Sequence, residues 1–364
     1  MKHDSPLPFA SAGATIPKVP SLGRKFGHRW GFHLLLAVAL VAAGGTRATG
    51  ADPAARRWLP DRDEFTIAVT DSGLGGLSIM AELAARLEHT RPARRVHLVF
   101  FNALFANDSG YNSLPSRAAK LRVFDRALTA LADTVRPDLI VIGCNTLSVI
   151  FPATAFARSA RVPVAGIIEP GVALFQRELQ RHPGATLLLF GTETTIGEDT
   201  HRAALRAAGV PAPRLATKAC PELAAYLENN WQGDDTELMI ASVVGDAMGA
   251  LPAPKPPVLL GLVCSHYGYA REAWARAAAE SGGSLQGVLD PNRELVESLC
   301  PAATASRHAH TTLSARVLSM VEIAPAKRQT LGTWLRHRSP AVAAALDAYE
   351  WRPDLFAWRS AAHP

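Results

Sequence analysis

Two cysteines stand where a chain could move protons. Cys144 closes the apolar run Leu139-Ile140-Val141-Ile142-Gly143 and is followed by Asn145-Thr146, and Cys264 closes Val258–Val263 and is followed by Ser265-His266-Tyr267. A buried strand ending in a thiol at the start of a helix sets sulfur beside backbone N–H groups and the positive end of the helix dipole, which favours thiolate. Residues Asp71-Ser72-Gly73-Leu74-Gly75-Gly76-Leu77 form a third strand end, with a carboxylate, a hydroxyl and a glycine-rich turn. Thiols titrate near neutrality, so a pair suits taking a weakly acidic proton from one face of a carbon and returning one to the other. Each residue also has a plain reading. A cysteine behind a strand is commonly a small core residue, Asp71 and Ser72 could cap the next helix, and His266 could be a satisfied core imidazole.

The combination resembles the glutamate racemases and, more widely, the aspartate/glutamate racemase superfamily. The family's motifs stand here as Asp71-Ser72-Gly73-Leu74-Gly75-Gly76-Leu77, Cys144-Asn145-Thr146 and Cys264-Ser265-His266-Tyr267, in the family's order, and the resemblance runs from about Phe65 to about Leu299. It implies an amino-acid racemase with no cofactor and no metal, acting on a small-molecule amino acid. The resemblance assigns Cys144 and Cys264 as the two bases, with Asp71 assisting Cys144 and with His266, held by Glu228, serving Cys264. It also implies substrate contacts from Ser72, Gly110, Tyr111, Asn112, Asn145, Thr146, Thr192, Thr195 and Ser265. No Schiff-base lysine motif for pyridoxal phosphate is present, and the chemistry needs none.

Apolar strands alternate with amphipathic helical stretches, which predicts an α/β fold with mostly parallel sheets. Strands are expected near 66–70, 96–101, 139–143, 162–167, 186–190, 257–263 and 287–289. Helices are expected near 78–87, 116–134, 171–181, 200–208, 221–231, 236–248, 270–279 and 293–299. Parallel sheets place ligands outside the carboxyl ends of their strands, and all three chemical motifs lie at such ends. The resemblance adds two pseudosymmetric lobes, 65–168 plus 287–364 and 169–286, with the active site in the cleft between them. Lys327, Arg328, Arg336, His337 and Arg338, after Pro325, read as a solvated helical face; the alternative is an oligomer contact, as in a homodimer.

The formal charge of +6 is unevenly placed. Residues 1–57 carry eight Lys/Arg against two Asp/Glu, which leaves thirty of each beyond them and no footprint for nucleic acid. Those 57 residues read as a targeting extension: a basic region ending at Arg29, an apolar run Leu34–Ala43, and small residues around Ala48–Ala51 that suit signal cleavage. The run is short of the roughly 20 residues of a membrane span. The expectation is a periplasmic or exported protein with no stable membrane span after cleavage; a cytoplasmic protein and an uncleaved anchor are the alternatives. The four cysteines lack CxxC spacing and mixed Cys/His patterns, so neither a zinc site nor a disulfide scaffold is indicated. Export into an oxidising compartment stands in tension with two catalytic thiols.

Three departures from the family bear on substrate. Ser265 replaces a threonine but keeps the hydroxyl. Gly110-Tyr111-Asn112 is the match to the loop that presents Pro-Tyr-Gly to the substrate side chain, with Asn112 in place of glycine. Glu198 and His201 stand where the family has Ser and Tyr, and a carboxylate near an anionic substrate is unfavourable unless a cation faces it. Glutamate is therefore the first substrate to test and another amino acid the second. The competing readings are an isomerase or decarboxylase of a small dicarboxylate, and an exported binding protein without turnover.

Overall fold

The computed structural model describes Trp58–Ala362. The targeting extension expected at 1–57 lies outside the described residues. Among the described residues, ten strands form two all-parallel sheets. The first, in the order β10-β9-β2-β1-β3-β4, joins β1 (Glu64–Asp71), β2 (Arg95–Asn102), β3 (Leu139–Ile142), β4 (Val164–Gly166), β9 (Thr312–Ser319) and β10 (Glu350–Trp351). The second, in the order β6-β5-β7-β8, joins β5 (Thr186–Gly191), β6 (Leu215–Ala219), β7 (Val258–Val263) and β8 (Leu285–Leu289).

Central strands covered by helices on both faces must be apolar throughout. β3, β5 and β7 are buried at every position. Burying them sets the three strand ends that carry Cys144, Thr192 and Cys264. Helix Gly76–Thr90 leaves the first chemical loop with Leu77, Ile79, Met80, Leu83 and Leu87 buried. Its N-cap is Gly75, with no side-chain cap, so Asp71 and Ser72 do not serve as caps. Glycine is required here by close approach. A Cβ on Gly75 would stand 2.4 Å from Ser265 Oγ and 2.8 Å from the His266 backbone nitrogen, and one on Gly73 would stand 2.7 Å from Glu228 Oε1. The first loop is thus pressed against the residues that follow Cys264.

The expected strands and long helices are present with small boundary changes. β6, β9 and β10 were not anticipated: β6 and β10 are short edge strands, and β9 is Thr-Leu-Ser-Ala-Arg-Val-Leu-Ser, with its first five residues partly exposed. The region after Cys300 also holds helices Pro325–Arg336 and Pro340–Asp347. The basic residues after Pro325 are not a uniformly solvated face. Lys327 pairs with buried Glu228, Arg328 donates to the carbonyls of Ile323 and Asp347, and Arg338 pairs with Glu82 while lying over the Trp334 ring. Arg336 and His337 remain exposed. Among the described residues no helix is long and apolar enough to cross a membrane.

Candidate active site

Cys144 is the N-cap of the short helix Asn145–Ile150, as expected of a strand-end thiol. Cys264 is not. A single 3-10 turn, Tyr267–Ala270, intervenes, and the α-helix starts only at Arg271. Cys264 therefore depends on side chains rather than on a helix terminus. Both thiols are buried, at 4% and 5% exposure, and all four cysteines are free.

A chain of contacts joins the two sheets. Ser72 Oγ lies 3.1 Å from Cys144 Sγ, and the adjacent Asp71 accepts a 2.7 Å hydrogen bond from Ser265 Oγ, next to Cys264. Cys264 Sγ lies 3.7 Å from His266 Nδ1, and His266 Nε2 meets Glu228 Oε1 at 2.7 Å. Glu228, on helix Leu223–Asn230, also accepts from the Leu74 N–H at 2.7 Å and from Lys327 Nζ at 2.9 Å. A second knot lies beside the first: Thr146 Oγ1 is 2.8 Å from Thr192 Oγ1 and 3.3 Å from Thr195 Oγ1. Thr192 caps helix Glu193–Gly197 by accepting the Thr195 N–H.

The two thiols sit in different electrostatic surroundings. Burial, then the Asp71 charge, pushes the Cys144 thiol well up, against hydrogen bonds from Ser72 and the Leu147 N–H. Burial likewise raises the Asp71 carboxyl, with His266, Ser265 and Cys144 pulling it down. Burial opposes charge on His266 too, yet Cys264 and Glu228 outweigh it and hold the imidazole well above its ordinary value. Glu228 is lowered to about 2: burial works against its charge, and His266, Lys327 and the Leu74 N–H overcome it.

Several buried polar atoms lack a partner: Asp71 Oδ1, both Asn145 amide atoms and the Tyr111 hydroxyl. The Asn145 amide is at 1% exposure, where an unsatisfied group costs about 1–3 kcal/mol. Tyr111 was expected on a substrate loop. Its ring packs against Phe105 and Phe124 in the core of the first sheet, and its buried hydroxyl has no hydrogen-bond partner. The Gly110 carbonyl is taken up by Ser113, and no hydrogen bond links that glycine to either thiol among the described residues. Asn112 accepts from the Thr194 hydroxyl at 2.6 Å, and Lys120 donates to the same hydroxyl at 2.6 Å. Glu198 pairs with Arg117 at 2.7 Å, which supplies the cation its position requires. His201 is buried near Phe175 with an unpartnered Nε2, and burial lowers it to about 4. Two large cavities, of about 870 and 1270 Å³, lie elsewhere; neither is lined by Cys144 or Cys264.

Sequence reasoning missed Asn292, Lys120 and Lys327. Asn292 donates to the Ser265 carbonyl at 2.9 Å from the end of β8, and a fourth strand end reading Asp290-Pro291-Asn292 was a usable signal. Neither lysine has a local signature.

No protein-family model matches the chain. Curated relatives do. The glutamate racemase of Levilactobacillus brevis is 27% identical over 233 residues, covering 64% of this chain and 76% of that protein; the one from Streptococcus gordonii is 25% identical over 237 residues, covering 65% and 78%. In sequence the chain is thus similar to glutamate racemases over about two thirds of its length. Among solved structures, a Francisella tularensis glutamate racemase in complex with D-glutamate superposes with a TM-score of 0.58 at 19% identity, covering 82% of this chain and 99% of that one. A Bacillus anthracis glutamate racemase gives 0.57 at 20% identity, covering 79% and 97%. These two show a shared fold, and the curated relatives support an amino-acid racemase, an isomerase.

Proposed function

We propose that the protein inverts the α-carbon of a free amino acid without a cofactor, with Cys144 and Cys264 as acid and base on opposite faces of the stereocentre. The observation that carries this reading is the set of buried, unpartnered polar atoms beside the thiols, since such atoms are tolerated where a polar ligand completes them. An amino-acid ammonium complements Asp71 Oδ1. An α-carboxylate complements the Asn145 amide and the hydroxyls of Thr146, Thr192, Thr195 and Ser265. We read the two sheets as the cores of two pseudosymmetric lobes, 65–168 plus 287–364 and 169–286, with substrate held between them.

In one direction Cys264, as thiolate beside the charged His266, takes the α-proton while Cys144 supplies its thiol proton to the opposite face. In the other direction the roles exchange. Ser72 orients Cys144, Glu228 holds His266, and charge building on the carbanion spreads into the α-carboxylate, where fixed donors stabilise it. Glutamate is the first substrate, because the curated relatives are glutamate racemases. Asn112 is engaged by Thr194, and on the resemblance its side chain would stand where the family has glycine on the loop that meets the substrate side chain. The signal-like pattern of residues 1–57 supports an exported enzyme, and a homodimer is its simplest assembly.

The test is incubation in deuterated water, under reducing conditions, with each enantiomer of glutamate and then of acidic, polar and basic amino acids. Loss of optical rotation with α-deuterium in both enantiomers is expected. Ligand binding by reduced protein without exchange would instead identify a binding protein, and silence across the whole panel would reject a racemase.

A further inference from the structure

Lys327 belongs to a region that the sequence reading placed on the surface, yet it reaches the buried acid of the Cys264 relay. Helix Pro325–Arg336 is fixed against helix Leu223–Asn230: Trp231 Nε1 donates to the Thr330 carbonyl at 3.2 Å, and Thr330 Oγ1 donates to the Asn229 carbonyl at 3.3 Å. From that mount Lys327 Nζ donates to Glu228 Oε2 at 2.9 Å; the lysine side chain is 31% exposed and the glutamate 8%. The other carboxylate oxygen is already shared by His266 and the Leu74 N–H. Both Glu228 oxygens are therefore occupied by positive or donor groups. The side chain has no freedom to turn away from the imidazole.

We infer that Lys327 is a positioning residue for the Cys264 half of the reaction: its ammonium fixes Glu228 as a carboxylate and completes a neutral row of thiolate, imidazolium, carboxylate and ammonium. The inference rests on the assignment of Cys264 as a base. Charge in this row is counted in a buried setting, where each missing member changes the standing of the others. Other titratable groups face it: Asp71 and Tyr269 face Glu228, Cys220 and Tyr267 face Cys264, Glu193 faces Tyr267, and Arg338 faces Tyr269. Cys220, Tyr267 and Tyr269 are all pushed up by burial and stay neutral in the working range. Asp71, whose carboxyl burial also raises, carries no positive charge in either protonation state and cannot replace the lysine. Without the ammonium the row carries one surplus negative charge. Losing a proton from Cys264 and then from His266 both become harder.

The experiment compares the full chain with K327M, K327Q and K327R through two readouts against pH: α-proton exchange as kcat/KM, and iodoacetamide alkylation of Cys264 measured on its peptide, with Cys144 as the internal reference. K327M and K327Q should move both Cys264-dependent midpoints up by about one pH unit, a loss of roughly tenfold below the midpoint. K327R should overlay the parent, and Cys144 alkylation should keep its midpoint. An unmoved midpoint in K327M would overturn the inference. So would full rescue by K327Q, which restores a hydrogen bond without charge, and so would an equal displacement at Cys144, which reports general loosening. Should K327M not fold, K327Q decides. If the parent exchanges no amino acid, the racemase reading fails, while the alkylation profiles still report on Lys327.

Discussion

The two thiols occupy matching places at the ends of central strands, yet their surroundings differ in kind. Cys144 meets a hydroxyl, Ser72, beside a carboxyl whose own charge is opposed by burial, so this half is built from neutral hydrogen bonds. Cys264 meets an imidazole backed by a carboxylate backed by an ammonium, a row of alternating charges. Topological likeness therefore does not carry over to electrostatics. Enantiomers of a free amino acid have equal energy, so this asymmetry cannot tilt the final ratio. In the proposed reaction it would act on which thiol rests protonated, and hence on kcat and KM for each direction separately.

The largest expected effect removes the comparison altogether. Cys144→Ser or Cys264→Ser should each lower turnover by roughly 10²–10⁴, the usual worth of an acid/base group, read by steady-state polarimetry. Turnover near that of the parent would remove that thiol from the mechanism. Next comes the charged half alone: Glu228→Ala strips a buried partner from His266 and Lys327 and should cost about 3–5 kcal/mol of stability in denaturant melts. Ser72→Ala, in the neutral half, should cost at most about 1.5 kcal/mol, the net value of one hydrogen bond. Equal losses would erase the distinction between the halves.

Gly75→Ala tests the contact between them. Its methyl would meet Ser265 Oγ and the His266 backbone, and overpacking of this kind costs about 1–3 kcal/mol. Activity should fall further than stability, because the displaced residues belong to the site. The smallest effect concerns pH. Glu228 is lowered from 4.5 to about 2, so its contribution is present above pH 4.5 and fades as pH falls toward 2. His266 is raised above 6.5, so its contribution is complete below that value and fades as pH rises through its folded value. The pair should stabilise the fold most between about pH 4.5 and 6.5, and thermal melts of Glu228→Gln should lose that plateau.

Much of the scaffold was legible because buried parallel strands must be apolar at every position, and Leu139–Ile142, Thr186–Gly191 and Val258–Val263 announce themselves that way. Edge strands obey no such demand, which is why β6 and β10 passed unread, and β9, paired by β10 only at Leu318 and Ser319, is partly exposed over its first five residues. Within the site, residues next to strand ends were readable from spacing: Asp71, Cys144 and Cys264 sit where the backbone leaves a sheet, whereas Thr192 came only with the resemblance. Glu228 was legible only through the family resemblance. Lys327 was legible through neither, since a lysine on an amphipathic helix looks the same in sequence whether it meets solvent or a buried carboxylate. The resemblance assigned Tyr111 to a binding loop, and the packing of its ring against Phe105 and Phe124 had no signal in the sequence.

The central claim, two sulfur atoms working on opposite faces of one carbon, is tested most directly by following isotope through the first turnovers in deuterated water. With protiated L-glutamate, the earliest D-product should carry deuterium at the α-carbon while the remaining L-substrate is still protiated, because the proton removed and the proton returned belong to different thiols. Early product that retains the substrate's own protium would mean one group carries the proton across, and the two-thiol account would be contradicted.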